Sequence, residues 1–333
     1  MLHPAMRMVA AMIAALWLMS SLAPASLAAQ EQTAETEKLQ VVATFSILAD
    51  VVANVGGDAI ELTTIVPVGG DAHSFEPTPD QVAGVSEADL IVSIGIGFEP
   101  WLEDMIGASG AEGRNVVVTE GLDLIDGFEE EHEHEESDEH ENEHKGEDHA
   151  DEETGAIDPH VWGDVANMIA ITATVSQALV AADPANTATY EANAAAYTTQ
   201  LQTLDTFVRD QVGTLPVEQR QLVTSHDTFG YFARAYEFEV VGTAIGSLTT
   251  ESGDPSAEEI ANLVGEIEAT GVPVIFAENV SNPALIESIA SEAGVEVGPA
   301  LYTDALGEAG SDGETYDAMM RYNVTSIVTA LSV

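Results

Sequence analysis

Apolar positions along this chain fall into two alternating patterns. Short β-branched runs at residues 39–45, 60–66, 90–94 and 115–119 read as strands, and stretches at 47–55, 79–86 and 100–106 carry the spacing of helices. The alternation returns later, with strands at 221–224, 238–243, 274–277 and 295–301 and helices at 229–236, 255–270, 283–293 and 316–331. Strands that alternate with helices imply parallel sheets wound with right-handed crossovers. Between the two series, a helix is expected at 165–182. Asp183-Pro184 then starts another that meets no Gly or Pro between Ala185 and Val212. The expected fold class is therefore α/β: two doubly wound lobes with parallel sheets, residues 30–183 and 216–333, joined by a long rigid helix over 184–215.

Two segments break the pattern. Residues 129–153 hold 15 acids, one Lys and five histidines (His132, His134, His140, His144 and His149) with almost no apolar residue. Such a stretch cannot bury enough surface to offset the entropy of ordering, so a disordered acidic loop is expected. Its histidines, which acidity alone does not explain, suit loose contact with divalent metal. At the N-terminus, Arg7 precedes an apolar run over 8–22, and small residues follow at Ser26, Ala28 and Ala29. That is the layout of a cleaved secretory signal, residues 1–29. No later segment reads as apolar enough to cross a bilayer.

Composition narrows the partners. Against 58 Asp and Glu stand 8 Lys and Arg, a formal net charge of −50. Nucleic acid and anionic membrane surfaces would be repelled and cations attracted. A surface so rich in acid and poor in lysine suits a salty medium that screens its self-repulsion. Cysteine is absent, which removes disulfides, thiolate ligands and a lipid-bearing cysteine.

Outside the signal and the acidic loop only three histidines remain. His73 lies in VGGDAHSFEPTPD after a predicted strand, His160 in IDPHVW and His226 at the end of another strand. Asp304 occupies a comparable strand-end position. Open α/β sheets place ligands at such ends, and three imidazoles with one carboxylate make a four-coordinate shell suited to zinc. Spacing this long leaves two readings open, a shared metal shell or scattered structural histidines.

The motifs GGDAHSFEPTP, SEADLIVSIGIGFEPWLE, DPHVW, LVTSHDTFGYFARAYEF and TDALGEAGSDGETYDAMMRYNVTSIVTAL, with the acidic histidine loop, resemble the zinc- and manganese-binding proteins of bacterial ABC transporters. The resemblance spans nearly all of the expected mature chain. It implies metal ligands at His73, His160, His226 and Asp304, in a cleft between two lobes. It further implies a non-enzymatic, monomeric periplasmic protein that captures zinc and delivers it to a membrane permease. Histidine at the third position, His226, is the feature of zinc-type members, whereas manganese-type members tend to have glutamate there. Asp304 is the most variable position of the set, with Glu76 and Glu278 as substitutes. Gly163 departs from the family, which usually has a larger apolar residue there. Missing a cysteine, the chain is expected to be free in the periplasm without a lipid anchor. The alternatives are a manganese-specific member, a metal-dependent adhesion protein, or a secreted zinc hydrolase. The last would need a general base and an open coordination position, and outside the acidic loop the chain has no HExxH.

Overall fold

A computed structural model describes residues 38–111, 113–127, 156–250 and 255–332. The expected signal peptide (1–29) and acidic loop (129–153) lie outside them. The chain enters β1 (Leu39–Phe45), whose last five residues are buried, as expected of a central parallel strand covered on both faces. It continues through α1 (Ser46–Gly56), β2 (Ile60–Val66), α2 (Pro79–Glu87), β3 (Leu90–Ser93), α3 (Leu102–Ser109) and β4 (Asn115–Val117). These strands form one parallel sheet in the order β2-β1-β3-β4. The register pairs Leu39 with Ile60 through Phe45 with Val66, so β1 and β2 end together.

Two helices follow. In α4 (Val165–Ala182), Asp164 caps the first turn by accepting the Ala166 N–H. By length and hydropathy alone α4 could span a bilayer, contrary to the sequence expectation. Its Val165, Met168, Ile171, Val175 and Leu179 are instead buried in the protein core, which accounts for the composition.

The expected single helix over 184–215 is divided. Asp183 accepts bonds from the Ala185 N–H, the Asn186 amide and the Tyr190 hydroxyl. These bonds tighten Pro184–Asn186 into a 3-10 turn before α5 (Thr187–Val212) begins. At 26 residues α5 is about 39 Å long. Its apolar stripe, Tyr190, Ala194, Tyr197, Leu201, Leu204, Val208 and Val212, is buried against α1, α4 and the last helix.

The second half runs through β5 (Gln221–Thr224), α6 (Gly230–Tyr236), β6 (Glu239–Thr243), α7 (Ala257–Thr270), β7 (Val274–Ile275), α8 (Ala284–Ala293), β8 (Glu296–Val297) and α9 (Tyr316–Leu331). Its ladders are short. β5 pairs with β6 and β7 with β8, all parallel, and the Phe276 N–H bonds the Val223 carbonyl, setting β7 beside β5. The resulting sequence β6-β5-β7-β8 parallels the order of the first sheet. The strand expected over 295–301 shrinks to the two exposed residues of β8, an edge, and resumes only as a bridge from Leu301 to Glu278. One large core runs through the first half and on through β5, α6 and β7 to α9, and a separate core of ten buried residues, including Ile267, Ile275 and Ile289, sits within the second half.

Candidate metal centre

The loop after β2 is built to hold His73. Gly69 takes a positive φ of 70° and gives its N–H to the Leu306 carbonyl of the second half. Asp71 Oδ1 accepts the His73 N–H at 2.9 Å, and Trp101 Nε1 donates to the Ala72 carbonyl at 2.8 Å. Beyond the histidine, Pro79 opens α2 and Thr78 forms a reciprocal capping box with Gln81, which fixes where the loop ends.

His160 precedes a 3-10 turn, Val161–Gly163, and leans on Asp158 two residues before it. Asp158 Oδ1 accepts from both the backbone N–H and Nδ1 of His160, at 2.8 and 2.7 Å. Gly230 makes room for this carboxylate, since a Cβ there would lie 2.5 Å from Asp158 Oδ2. Gly163, the departure noted in the sequence, faces the Phe232 backbone, where a Cβ would be tight at 3.1 Å.

His226 follows β5. Glu278 Oε1 accepts the N–H groups of Ser225 and His226 at 2.7 and 3.0 Å, while Oε2 lies 2.5 Å from His226 Nδ1. Asp304, three residues past Leu301, completes the group, with the Thr228 hydroxyl 3.3 Å from its Oδ1.

The structure thus brings all four expected residues together, one nitrogen or oxygen from each lying within 4.8 Å of the others. Among the described residues this is the only grouping of three or more such side chains so placed. None is more than 1% exposed. His73 Nε2 is 3.3 Å from His160 Nε2 and 3.5 Å from Asp304 Oδ2, and His226 Nε2 is 3.0 Å from Asp304 Oδ2. Donors on a tetrahedral zinc at ~2.0–2.1 Å stand roughly 3.3–3.4 Å apart, so the spacing fits such an ion. His226 Nε2 and Asp304 Oδ2 are buried without an aligned hydrogen-bond partner, and so is His73 Nδ1. Unpartnered polar atoms are costly in a protein interior, and a cation between His226 Nε2 and Asp304 Oδ2 would satisfy both.

Electrostatics agree. Burial disfavours a charge on His226, yet the Glu278 and Asp304 carboxylates outweigh it and hold its pKa well above the ordinary histidine value. Burial likewise opposes ionisation of Asp304, but the neighbouring His226 and His160 carry its pKa well below the usual carboxylate range. Without metal, a proton on His226 balances Asp304.

Of the two substitutes considered for the fourth position, Glu76 is exposed and outside the cluster. Glu278 is buried, but it touches the far nitrogen of His226 and supports that ring from behind. Asp158 was missed as a support, although its position in DPH was the available signal. Aromatic rings complete the wall: Phe98 meets His73 edge-on at 4.9 Å between centroids, and Trp162 meets His160 at 5.3 Å.

Fold and cluster together define an α/β protein with a buried donor set at strand ends that fits a divalent cation. The chain belongs to the family described as zinc-uptake complex component A, periplasmic, which matches residues 41–330. It is 35% identical over 297 residues to the manganese-binding lipoprotein MntA of Halalkalibacterium halodurans, covering 89% of each chain. It is 32% identical over 323 residues to the manganese ABC transporter substrate-binding lipoprotein PsaA of Streptococcus pneumoniae, covering 95% of this chain and 97% of the relative. The solved periplasmic zinc-binding protein TroA of Treponema pallidum superposes with a TM-score of 0.77 at 29% identity, covering 89% of this chain and all of that one. The protein is therefore an extracytoplasmic metal-binding component of an ABC transporter and not an enzyme. Its relatives are named lipoproteins, which is at odds with the expectation of a free protein without a lipid anchor.

Proposed function

We propose that the protein captures zinc through His73, His160, His226 and Asp304 and delivers it to its permease. The observation that carries this reading is the buried donor set itself: three imidazoles to one carboxylate, with His226 Nε2 and Asp304 Oδ2 lacking aligned partners. Imidazole-rich sites favour zinc over manganese, which is better served by oxygen donors and a higher coordination number. The relatives' names point both ways, with TroA named for zinc and MntA and PsaA for manganese. Competition titration of metal-free protein tests the assignment, with zinc displacing manganese as the expected outcome. Equal or tighter manganese binding overturns it in favour of a manganese-specific protein.

In this reading the two expected lobes, 30–183 and 216–333, act on either side of the ion, joined through α5. The protein works as a monomer, has no affinity for nucleic acid, and is released into the periplasm after removal of residues 1–29. The absence of cysteine supports a free form, against the lipoprotein names of its relatives. Fractionation of cells into soluble and membrane pools decides that point.

A further inference from the structure

All four candidate ligands are buried, so a metal ion cannot reach them through the closed structure. A cavity of about 510 Å³ borders one of them. Its lining includes His226, Ser225, Asp71, Thr250, Ser281 and Ala284. Asp71 belongs to the His73 loop, whereas Thr250 belongs to the second half of the chain. The Thr250 hydroxyl donates to Asp71 Oδ2 at 2.5 Å, so one hydrogen bond ties the two sides of the passage together. The same carboxylate accepts the His73 N–H on its other oxygen and the Ser74 hydroxyl at 2.7 Å. Opening the passage and loosening the His73 loop are therefore mechanically linked.

We infer that this cavity is the route by which the cation enters and leaves the centre, and that the Asp71–Thr250 hydrogen bond is the latch across it. The inference rests on the metal-capture reading and adds the path. Polar groups suited to a partly dehydrated cation line the cavity: the Asp71 carboxylate, the hydroxyls of Ser281 and Ser225, which bond each other at 3.0 Å, and His226. The acidic character of the chain adds attraction toward any open mouth. The latch must break before an ion passes in either direction, so it governs both rates more than it governs affinity.

Stopped-flow mixing of metal-free full-length protein with zinc gives the association rate, and mixing of the zinc-loaded protein with a chelator gives the dissociation rate. Thr250→Val keeps the side-chain shape and removes the donor. It should raise both rates by about fivefold, the worth of one hydrogen bond, with little change in Kd. Ala284→Trp places an indole in the cavity from an exposed helix position, and Asn282→Trp does so from the adjacent turn. Each should slow both rates by tenfold or more, an order-of-magnitude expectation for a blocked path, again with Kd nearly unchanged. A merely structural disturbance would instead weaken binding. If folded tryptophan variants bind zinc at wild-type rates, or if Thr250→Val alters Kd while leaving association unchanged, the route is wrong and metal capture stands. If wild-type protein binds no zinc tightly, both readings fall.

Discussion

The two halves of the molecule share a strand order but not a strength. In the first, β1 and β2 pair along six residue positions and β1 is buried through its last five residues, within a large core that the second half shares through Leu222, Phe232, Phe276 and Leu301. In the second, β7 and β8 pair at only two positions, both residues of β8 are exposed, and a core of ten buried residues stands apart. Free energy of local opening follows buried apolar contact and protected backbone bonds. The second half is thus the softer partner, and it supplies two of the four groups gathered at the centre, His226 and Asp304. A site made half of firm and half of soft structure can close tightly on an ion and still release it.

The comparison is tested most severely by removing the tie between the halves. Zinc at about 1,000 times its dissociation constant should stabilise the wild type by roughly 4 kcal/mol. His73→Ala and His226→Ala should each lose most of that gain in a thermal melt. Hydrogen exchange should show amides of β7 and β8 opening more readily than those of β1 in metal-free protein, with zinc narrowing the gap. A uniform exchange pattern would mean that the halves are equally firm.

Next in size is the separate core. Ile267 is fully buried there, and its truncation to Ala should cost about 2–5 kcal/mol. If the second core melts by itself, calorimetry of that variant should resolve two transitions where the wild type shows one.

Smaller again are the carboxylates that hold the rings from behind, one in each half. Glu278→Gln and Asp158→Asn should each weaken zinc by about 10–100-fold, read by chelator competition. Glu278 should matter more, because it also accepts two backbone N–H groups beside His226, whereas Asp158 accepts one. A larger loss at Asp158 would reverse the order.

The smallest effect is on proton balance. In metal-free protein the raised pKa of His226 gives stability that is fully present below the unfolded value of about 6.5 and is lost as pH rises through the folded value. The lowered pKa of Asp304 gives stability present above its unfolded value and lost as pH falls through the folded one. The metal-free centre therefore contributes most at mildly acid pH, while zinc must displace the His226 proton. Zinc affinity and the zinc-dependent rise in Tm should keep growing with pH beyond 6.5. Calorimetry at neutral pH in buffers of different ionisation heat should register proton release, which His226→Ala should diminish.

Much of this was legible in residues 38–333. Strand periods pointed to two α/β halves, the strand-end positions of three histidines and Asp304 left a shared shell or scattered residues open, and the family motifs favoured the shell. What escaped was set by contacts distant in sequence or by local polar competition. Nothing in the run 184–212 announces that Asp183 would divert its first turn, and β8 is short because its residues lie at an exposed edge. Glu278 could be read as a ligand or a support from sequence alone. Only the fold, by putting it behind His226, separates the two.

Trp101 and Trp162 each touch the architecture of the centre, one through the Ala72 carbonyl next to His73 and the other through its ring against His160. The remaining tryptophan, Trp17, falls in the segment expected to be cleaved. Every indole of the processed chain would then sit within a few side chains of the cargo. Exchange of a proton for a doubly charged ion alters the field at both rings, so the protein's own ultraviolet emission should follow loading and unloading without an attached dye.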